Sequence, residues 1–356
     1  MNILLQVLLC PLNYRISKPS HIINFFRYFL PQGVWNYPNF SPFPLYYTQL
    51  LKLSLFYLKN LILTNYSIKY IIIIGDFMNF FTILLILVFL LLLISIFVFF
   101  CYYQNNKLDI TVHTVINEAC KKNFRIIHLS DFHSKPFKAV LKKVKELKPD
   151  IICITGDYIN DHGKNKDKML EYGKELLKLA PVYYITGNHE RRLDNFDELM
   201  NELSDIGFNV LLNNTADCQY CRILGLDENQ ADFKDYKARK NGTFVYKDMS
   251  SYFEKLKNYD GFKLVLSHFP ENFEGIPELN YKQYDFDLQL SGHAHGGQWI
   301  IFKPLFSPGQ GILPKYARGT FGDKPKLIVS RGLGNSEFPL RLFNHPEIIV
   351  VDVKKA

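Results

Sequence analysis

Seven residues have side chains suited to gripping a hard cation, and each stands just beyond a short apolar run: Asp131, His133, Asp157, Asn188, His268, His293 and His295. They offer carboxylate oxygen, amide oxygen and imidazole nitrogen, with no thiolate among them. That donor set suits a pair of Mn, Fe, Zn or Mg ions and disfavours a cysteine-type structural zinc. Asp157 carries the most weight. The run 151–154 reads as a strand buried on both faces, Gly156 permits a sharp turn, and Asp157 then projects from the strand's carboxyl end. A lone carboxylate there is expensive unless a cation joins it. Asp131 and His133 lie two apart in D-F-H; on an extended segment they point to one side and can reach one ion. Asn188 adds a neutral oxygen that helps hold a second ion without piling on negative charge. Taken singly, a histidine at a strand end is more often a hydrogen-bonded structural group, and His113, His128, His162 and His345 are read that way.

The elements that must position these groups are legible in the hydrophobic pattern. Residues 125–129 read as a strand ending at Asp131 and His133. Residues 138–148 (KAVLKKVKELK) carry apolar side chains at Val140, Leu141, Val144 and Leu147, the rhythm of an amphipathic helix with a solvated lysine face, and Pro149 closes it. The strand before Asp157 follows, so this is a β-α-β unit and implies a parallel sheet. The pattern repeats with a helix over 167–179 and a strand over 182–185 that ends in Thr-Gly-Asn-His-Glu. A helix over 196–206, short strands through 227 and a helix over 249–257 come next. Strands at 263–266 and 288–290 then end in Ser-His-Phe and Ser-Gly-His-Ala-His-Gly-Gly. Five strands thus end in Asp, His or Asn, and the carboxyl ends of strands are where open α/β sheets keep their ligands.

The ordered set D-F-H, G-D-Y, G-N-H-E, S-H-F and G-H-A-H-G-G resembles the calcineurin-like metallophosphoesterase superfamily, from about residue 124 to the C-terminus. The tail SRGLGNSEFPLRLFNHPEI, Gln298 after the last motif and the apolar segment ahead of the domain further resemble its membrane-tethered YkuE/YaeI-like branch, which includes enzymes that cleave UDP-2,3-diacylglucosamine in lipid A synthesis. The resemblance implies a two-sheet α/β/β/α sandwich, with Asp131, His133, Asp157 and His295 on one metal. It implies Asp157, Asn188, His268 and His293 on the other, Asp157 bridging. It also implies that His189 lines the site without ligating, stabilising the transition state or protonating the leaving oxygen, and that water attacks with no covalent phosphoenzyme. The third motif ends in Glu190 where other branches often have Asp. Asp161 either orients a ligand or is a surface carboxylate, and Arg191 and Arg192 either fork onto a substrate phosphate or begin a solvated helix.

Composition sets the compartment. Residues 80–103 hold no charge and match the roughly 20 residues needed to cross a bilayer, so one transmembrane helix is expected ahead of the domain, with tyrosines at an interface. The 103 residues through that segment carry six basic and one acidic side chain, or five of the formal +8; the remaining 36 basic and 33 acidic leave +3. The basic balance is therefore no nucleic-acid footprint. Lys107, Lys121 and Lys122 follow the segment, which puts the catalytic domain on the cytoplasmic side of the cell membrane. Residues 104–122 read as a juxtamembrane spacer with an alternating stretch, 110–116, able to open a sheet, and the phosphoesterase domain is expected over 123–356. Residues 1–77 show no period or capping signal, and Met78 is an expected alternative start. Six cysteines make no disulfide framework, and the single C-x-x-C at Cys218 and Cys221 reads as two small residues in a hairpin. The expected partners are the membrane and a lipid-linked or nucleotide phosphate.

Overall fold

The computed structural model describes residues 67–228, 230, 233–335 and 340–356; the stretch 1–66 lies outside the described residues. Helix α1, Ser67–Asn106, contains the expected apolar segment and extends it. Its stretch Phe77–Asn106, 30 residues with no charged side chain, is long and apolar enough to cross a membrane. The helix ends where Asn105 and Asn106 turn their side-chain amides back onto the carbonyls of Cys101 and Tyr102, at 3.0 and 2.8 Å.

From there the chain builds two six-stranded sheets. The first contains β1 (Asp109–Asn117), β2 (Phe124–Leu129), β3 (Ile151–Thr155), β4 (Val182–Ile185), β5 (Asn209–Val210) and β14 (Glu347–Lys355), in the order β1-β14-β2-β3-β4-β5. The second contains β6 (Asn214–Asp217), β7 (Cys221–Gly225), β8 (Phe262–Leu266), β9 (Leu288–Ser291), β12 (Gly319–Phe321) and β13 (Lys326–Val329), in the order β12-β13-β9-β8-β7-β6. A small hairpin, β10 (Phe306–Ser307) with β11 (Gly311–Ile312), stands apart from both. The stretch read as a spacer therefore supplies an outer strand: β1 runs parallel to β14 over its whole length, with Asp109 opposite Glu347 and Asn117 opposite Lys355.

Period-two alternation decides which layer each strand face meets. In β3, Ile152 and Ile154 pack with Val140 and Val144 of α2 (Lys138–Leu147), Met169 and Leu176 of α3 (Lys166–Leu177), and Leu199 and Leu203 of α4 (Phe196–Asp205). Ile151 and Cys153 face the other way, onto Ile223, Leu264 and Leu290 of the second sheet. That sheet's outer face is covered by Phe253, Leu256, Phe273 and Tyr281. The result is the expected α/β/β/α sandwich, with a buried apolar core between the sheets. Strands β2, β3 and β4 run parallel to one another, as do β7, β8 and β9, so their carboxyl ends gather the polar motifs.

One local expectation is corrected. The helix expected over 249–257 breaks into α6 (Ser250–Phe253) and a 3-10 turn, Glu254–Leu256; α5 (Phe233–Lys240) precedes it. The C-x-x-C pair lies in a hairpin, as expected: β6 pairs antiparallel with β7, and at the turn the Cys218 N–H donates to the Cys221 carbonyl at 2.9 Å.

Candidate metal centre

The candidate ligands lie past the ends of β2, β3, β4, β8 and β9, and the backbone there is unusual. Asp131, His133, Asp157, His293 and His295 all have positive φ, between 46° and 63°. Such angles are uncommon outside glycine and concentrate at functional sites, where the surroundings enforce them. This corrects the expectation that Asp131 and His133 converge because they alternate on an extended segment: β2 stops at Leu129, and both residues reach inward from left-handed turns.

Close backbone approach makes the turns possible. Gly156 has φ of 84°, and a Cβ on it would come within 2.6 Å of the Gly187 nitrogen and 2.7 Å of His268 Nδ1. The loops after β3 and β4 are then tied by Glu190, which is fully buried. Its Oε2 accepts from the backbone N–H of Asp157 (3.0 Å) and of Gly187 (2.9 Å), and its Oε1 from that of Ile159 (2.8 Å). Glu190 thus acts as a fastener between two motifs.

The side chains gather into two overlapping groups. Asp131, His133, Asp157 and His295 place one donor atom each within 4.8 Å of one another, and so do Asp157, His268 and His293; all six are buried. Asn188 Oδ1 lies 3.2 Å from His268 Nε2, beside the second group. Within the first, His133 and His295 bring their Nε2 atoms to 3.0 Å and stack at 4.9 Å between ring centres. His268 Nε2 stands 3.4 Å and His133 Nε2 3.8 Å from Asp157 Oδ2. The expected partition into two ligand sets sharing Asp157 is what these atoms' proximity allows.

The electrostatics are those of a site assembled for cations. Burial favours neutral imidazole and pushes His133 down to about 3, and it also holds His293 and His295 well below the usual histidine range. Burial raises Asp131 to about 6. It works against ionised Asp157 too, but His268, His189 and His133 outweigh it and hold that carboxylate well below its usual range. Burial likewise opposes charge on His268, yet Asp157 and Asp131 push it up to about 10. His268 Nδ1 lies 2.7 Å from the Thr155 carbonyl, which can only accept, so that nitrogen carries a proton and Nε2 is turned to the cluster. His293 Nε2 is buried with no hydrogen-bond partner among the described residues. An orphaned imidazole nitrogen beside a shared carboxylate fits a divalent ion, and the donor set fits two.

His189 is partly exposed at the edge of this group. Its backbone N–H donates to Asp157 Oδ1 at 3.0 Å, its ring meets His133 edge-on at 4.5 Å, and its Nε2 stands 3.9 Å from Asp157 Oδ2. The Asp161 N–H donates to His189 Nδ1 at 3.4 Å, and Asp161 Oδ1 lies equally near, so Asp161 orients this imidazole. Arg191 does not point at a vacant phosphate position: its guanidinium forks onto Asp227 and its centre lies 3.9 Å above the Phe196 ring. Arg192 pairs with Asp161 at 3.5 Å. Of the histidines read as structural, His128 bonds Thr155 Oγ1 at 2.8 Å and His345 lies 3.1 Å from Asp109.

Sequence reasoning missed four supporting residues. Glu228 is buried and accepts from Ser267 Oγ (2.6 Å), the His268 N–H (3.2 Å) and Asn272 Nδ2 (2.9 Å), steadying the strand end that carries His268. Asp227 joins Arg191 to Thr186 Oγ1 (2.7 Å). Both follow β7, so the rule that strand ends carry polar function, applied once more, points to them. Arg341 is fully buried with Nη2 3.4 Å from His295 Nδ1, and Asn344 Nδ2 donates to the His295 carbonyl at 2.7 Å. These two come from the tail, where no periodic signal announces them.

A two-sheet α/β sandwich that gathers carboxylate, amide and imidazole donors at the strand ends defines a metal-dependent phosphoester hydrolase. Residues 124–297 match the calcineurin-like phosphoesterase family. The uncharacterized metallophosphoesterase YkoQ of Bacillus subtilis is 30% identical over 276 residues, covering 71% of this chain and 94% of that protein. YkuE of the same organism, another metallophosphoesterase, is 28% identical over 272 residues, 71% of this chain and 88% of that protein. A Danio rerio transmembrane protein with metallophosphoesterase domain is 24% identical over 248 residues, 65% of this chain and 53% of that protein. The chain belongs to the calcineurin-like metallophosphoesterase family.

Proposed function

We propose that this chain is a membrane-tethered two-metal phosphoesterase that hydrolyses a phosphodiester or pyrophosphate bond in a lipid-linked substrate. The observation that carries the chemistry is the pair of donor groups sharing Asp157. The lipid is supported by α1, because a site fixed beside a bilayer meets lipids more often than soluble phosphate esters. UDP-2,3-diacylglucosamine is the named candidate, on the strength of motif resemblance. Fold by itself names no substrate.

Two divalent ions held by Asp131, His133, Asp157 and His295 and by Asp157, Asn188, His268 and His293 would lower the pKa of a shared water and clamp the phosphoryl oxygens during in-line attack. The chain's own groups do the rest. Asp157 is locked from two sides, by the His189 N–H on Oδ1 and by the Glu190 carboxylate on its own N–H. Asp131 accepts the His293 N–H on both oxygens, at 3.1 and 3.2 Å, so the loops after β2 and β9 are joined through a candidate ligand. Asp161 meets His189 Nδ1 through its N–H and its carboxylate and so turns Nε2 toward the cluster, where it can carry the proton. That proton is placed to pass to a departing oxygen. The positive-inside pattern of Lys107, Lys121 and Lys122 supports a cytoplasmic catalytic domain in a single-pass membrane protein.

The test is hydrolysis by the full chain in detergent micelles with added Mn, comparing UDP-2,3-diacylglucosamine with bis-p-nitrophenyl phosphate and using Asp157→Ala as control. Much faster cleavage of the lipid nucleotide supports the lipid reading. Cleavage of the artificial diester alone leaves the two-metal chemistry and removes the substrate, in favour of a broad phosphodiesterase acting on nucleotides or phospholipid head groups.

A further inference from the structure

A cluster of large apolar side chains stands in solvent around the β10–β11 hairpin: Ile301, Phe302, Ile312 and Leu313, with Phe343 alongside. Phe302 is 96% exposed and Ile312 76%. Contiguous exposure of this kind marks a surface that something covers. The cluster is continuous with the exit of α1. The Phe100 ring packs edge-on against Phe343 at 5.9 Å, Gln104 Oε1 accepts the Phe343 N–H at 2.8 Å, and Asn105 Oδ1 accepts the Arg341 N–H at 3.2 Å. Segment 340–343 in turn holds the base of the hairpin arm, since the Ile300 N–H donates to the Leu342 carbonyl at 2.9 Å and Trp299 Nε1 to the Leu340 carbonyl at 3.0 Å.

Strand register places all of this at the ligand end of the sandwich. Strand β1 begins at Asp109, just after α1, and starts level with β14; β14 runs antiparallel to β2, with Ile349 opposite His128 near the Asp131 end. The arm also overhangs the site. A Cβ on Gly297, two residues after His295, would strike Pro304, and one on Gly309 would strike Glu271 and come within 3.4 Å of His293 Nε2. Lys303 beside Phe302 is exposed, where it can meet lipid phosphate.

We infer that residues 300–313 and Phe343 form a second membrane contact, lying in the headgroup and upper acyl region of the same bilayer that α1 enters and holding the ligand groups at that level. The occupant is the lipid bilayer because the apolar surface grows directly out of the packing of α1. The inference rests on the reading of α1 as a membrane span and deepens it: the tether fixes the orientation of the domain as well as its location.

The test uses the full chain in phosphatidylethanolamine and phosphatidylglycerol vesicles. The chain has two tryptophans, so Trp35→Phe leaves Trp299 as a baseline onto which Phe302→Trp or Ile116→Trp is added. Ile116 is also exposed, but lies opposite Lys354 at the far end of β1. With lipids brominated at shallow acyl positions, the emission added by Phe302→Trp should fall by about half, as for a ring about 5–10 Å into the interface, while that added by Ile116→Trp should not change. No quenching at position 302 in protein that resists a carbonate wash overturns the second contact and leaves the span standing. Protein that washes off removes the span and this inference together. Emission at 302 that responds to protein concentration and ignores bromine overturns the inference in favour of a second copy covering the patch.

Discussion

The carboxylate of Glu190 takes the backbone N–H of Asp157 at 3.0 Å, so the residue shared by both ligand groups is held in its left-handed turn by an acid 33 positions later. Burial and the nearby Asp157 charge raise Glu190 above the usual glutamate range, and three backbone N–H donors around it work the other way. Glu190→Gln keeps the shape but turns an amide NH2 toward an N–H that needs an acceptor. It should cost about 2–3 kcal/mol of stability, the size of a buried unsatisfied group beside a lost charge-assisted bond. Thermal melts with metal analysis check this: an unchanged melting temperature with full metal content sinks the fastener role.

His189 and Asp157 should separate cleanly. The contact from His189 to Asp157 Oδ1 is a backbone N–H, which alanine retains. His189→Ala should therefore bind metal as the parent does while turnover falls about 10²–10⁴-fold, the usual worth of a positioned acid or base. Asp157→Ala should lose both metal and activity. Metal content by mass spectrometry beside kcat decides it, and equal metal loss in the two variants would refute the split of roles.

The β-α-β units and the polar strand ends could be read from the chain because both follow from local pattern, whereas the two-sheet sandwich and the grouping of ligands came from the resemblance of the ordered motifs. Strand β4 lies over 182–185 as its apolar run announces, and five strand ends, three of them with glycine, carry the polar motifs. What could not be read is set by tertiary contact. That Asp131 and His133 converge through positive φ and not through strand alternation depends on loops after β3 and β9 arriving from elsewhere. Arg341 enters beside His295 from a tail with no period, and the roles of Arg191 and Asp161 turned on partners 36 and 28 residues away. Strand β1 was half-visible: alternation showed a strand, but only its partner β14, over 200 residues later, shows that the sheet begins there.

Arg191 belongs to the scaffold of the loop that carries Asn188 and His189. Asp227 is buried, receives the fork of Arg191 and also accepts from Thr186 Oγ1. Arg191→Gln should leave that carboxylate short of its cation and cost about 1.5–3 kcal/mol, the range for hydrogen bonds to charged groups. KM for bis-p-nitrophenyl phosphate should stay within about twofold, because uniform substrate binding is untouched. A large rise in KM at unchanged stability would instead make Arg191 a substrate phosphate contact.

Far from the ligands, Arg125 on β2 forks onto Asp352 on β14, with bonds of 2.7 and 3.0 Å, so the pair links two neighbouring strands. The Arg125 bond holds the Asp352 carboxyl below its ordinary 3.8, against the opposing effect of burial. A group whose folded pKa is depressed contributes stability above its unfolded pKa and loses it as pH falls through the folded one. The pair is partly exposed, so its worth is about 1 kcal/mol, near the top of the range for surface pairs because it is bidentate. Asp352→Asn should therefore melt below the parent at pH 7, and the gap should narrow as pH drops through and below the ordinary carboxylate value near 3.8. Melts of both proteins across pH 3 to 7, about one unit apart, follow the pair through its titration, and a gap that stays constant would show that the asparagine acts through packing and not through charge.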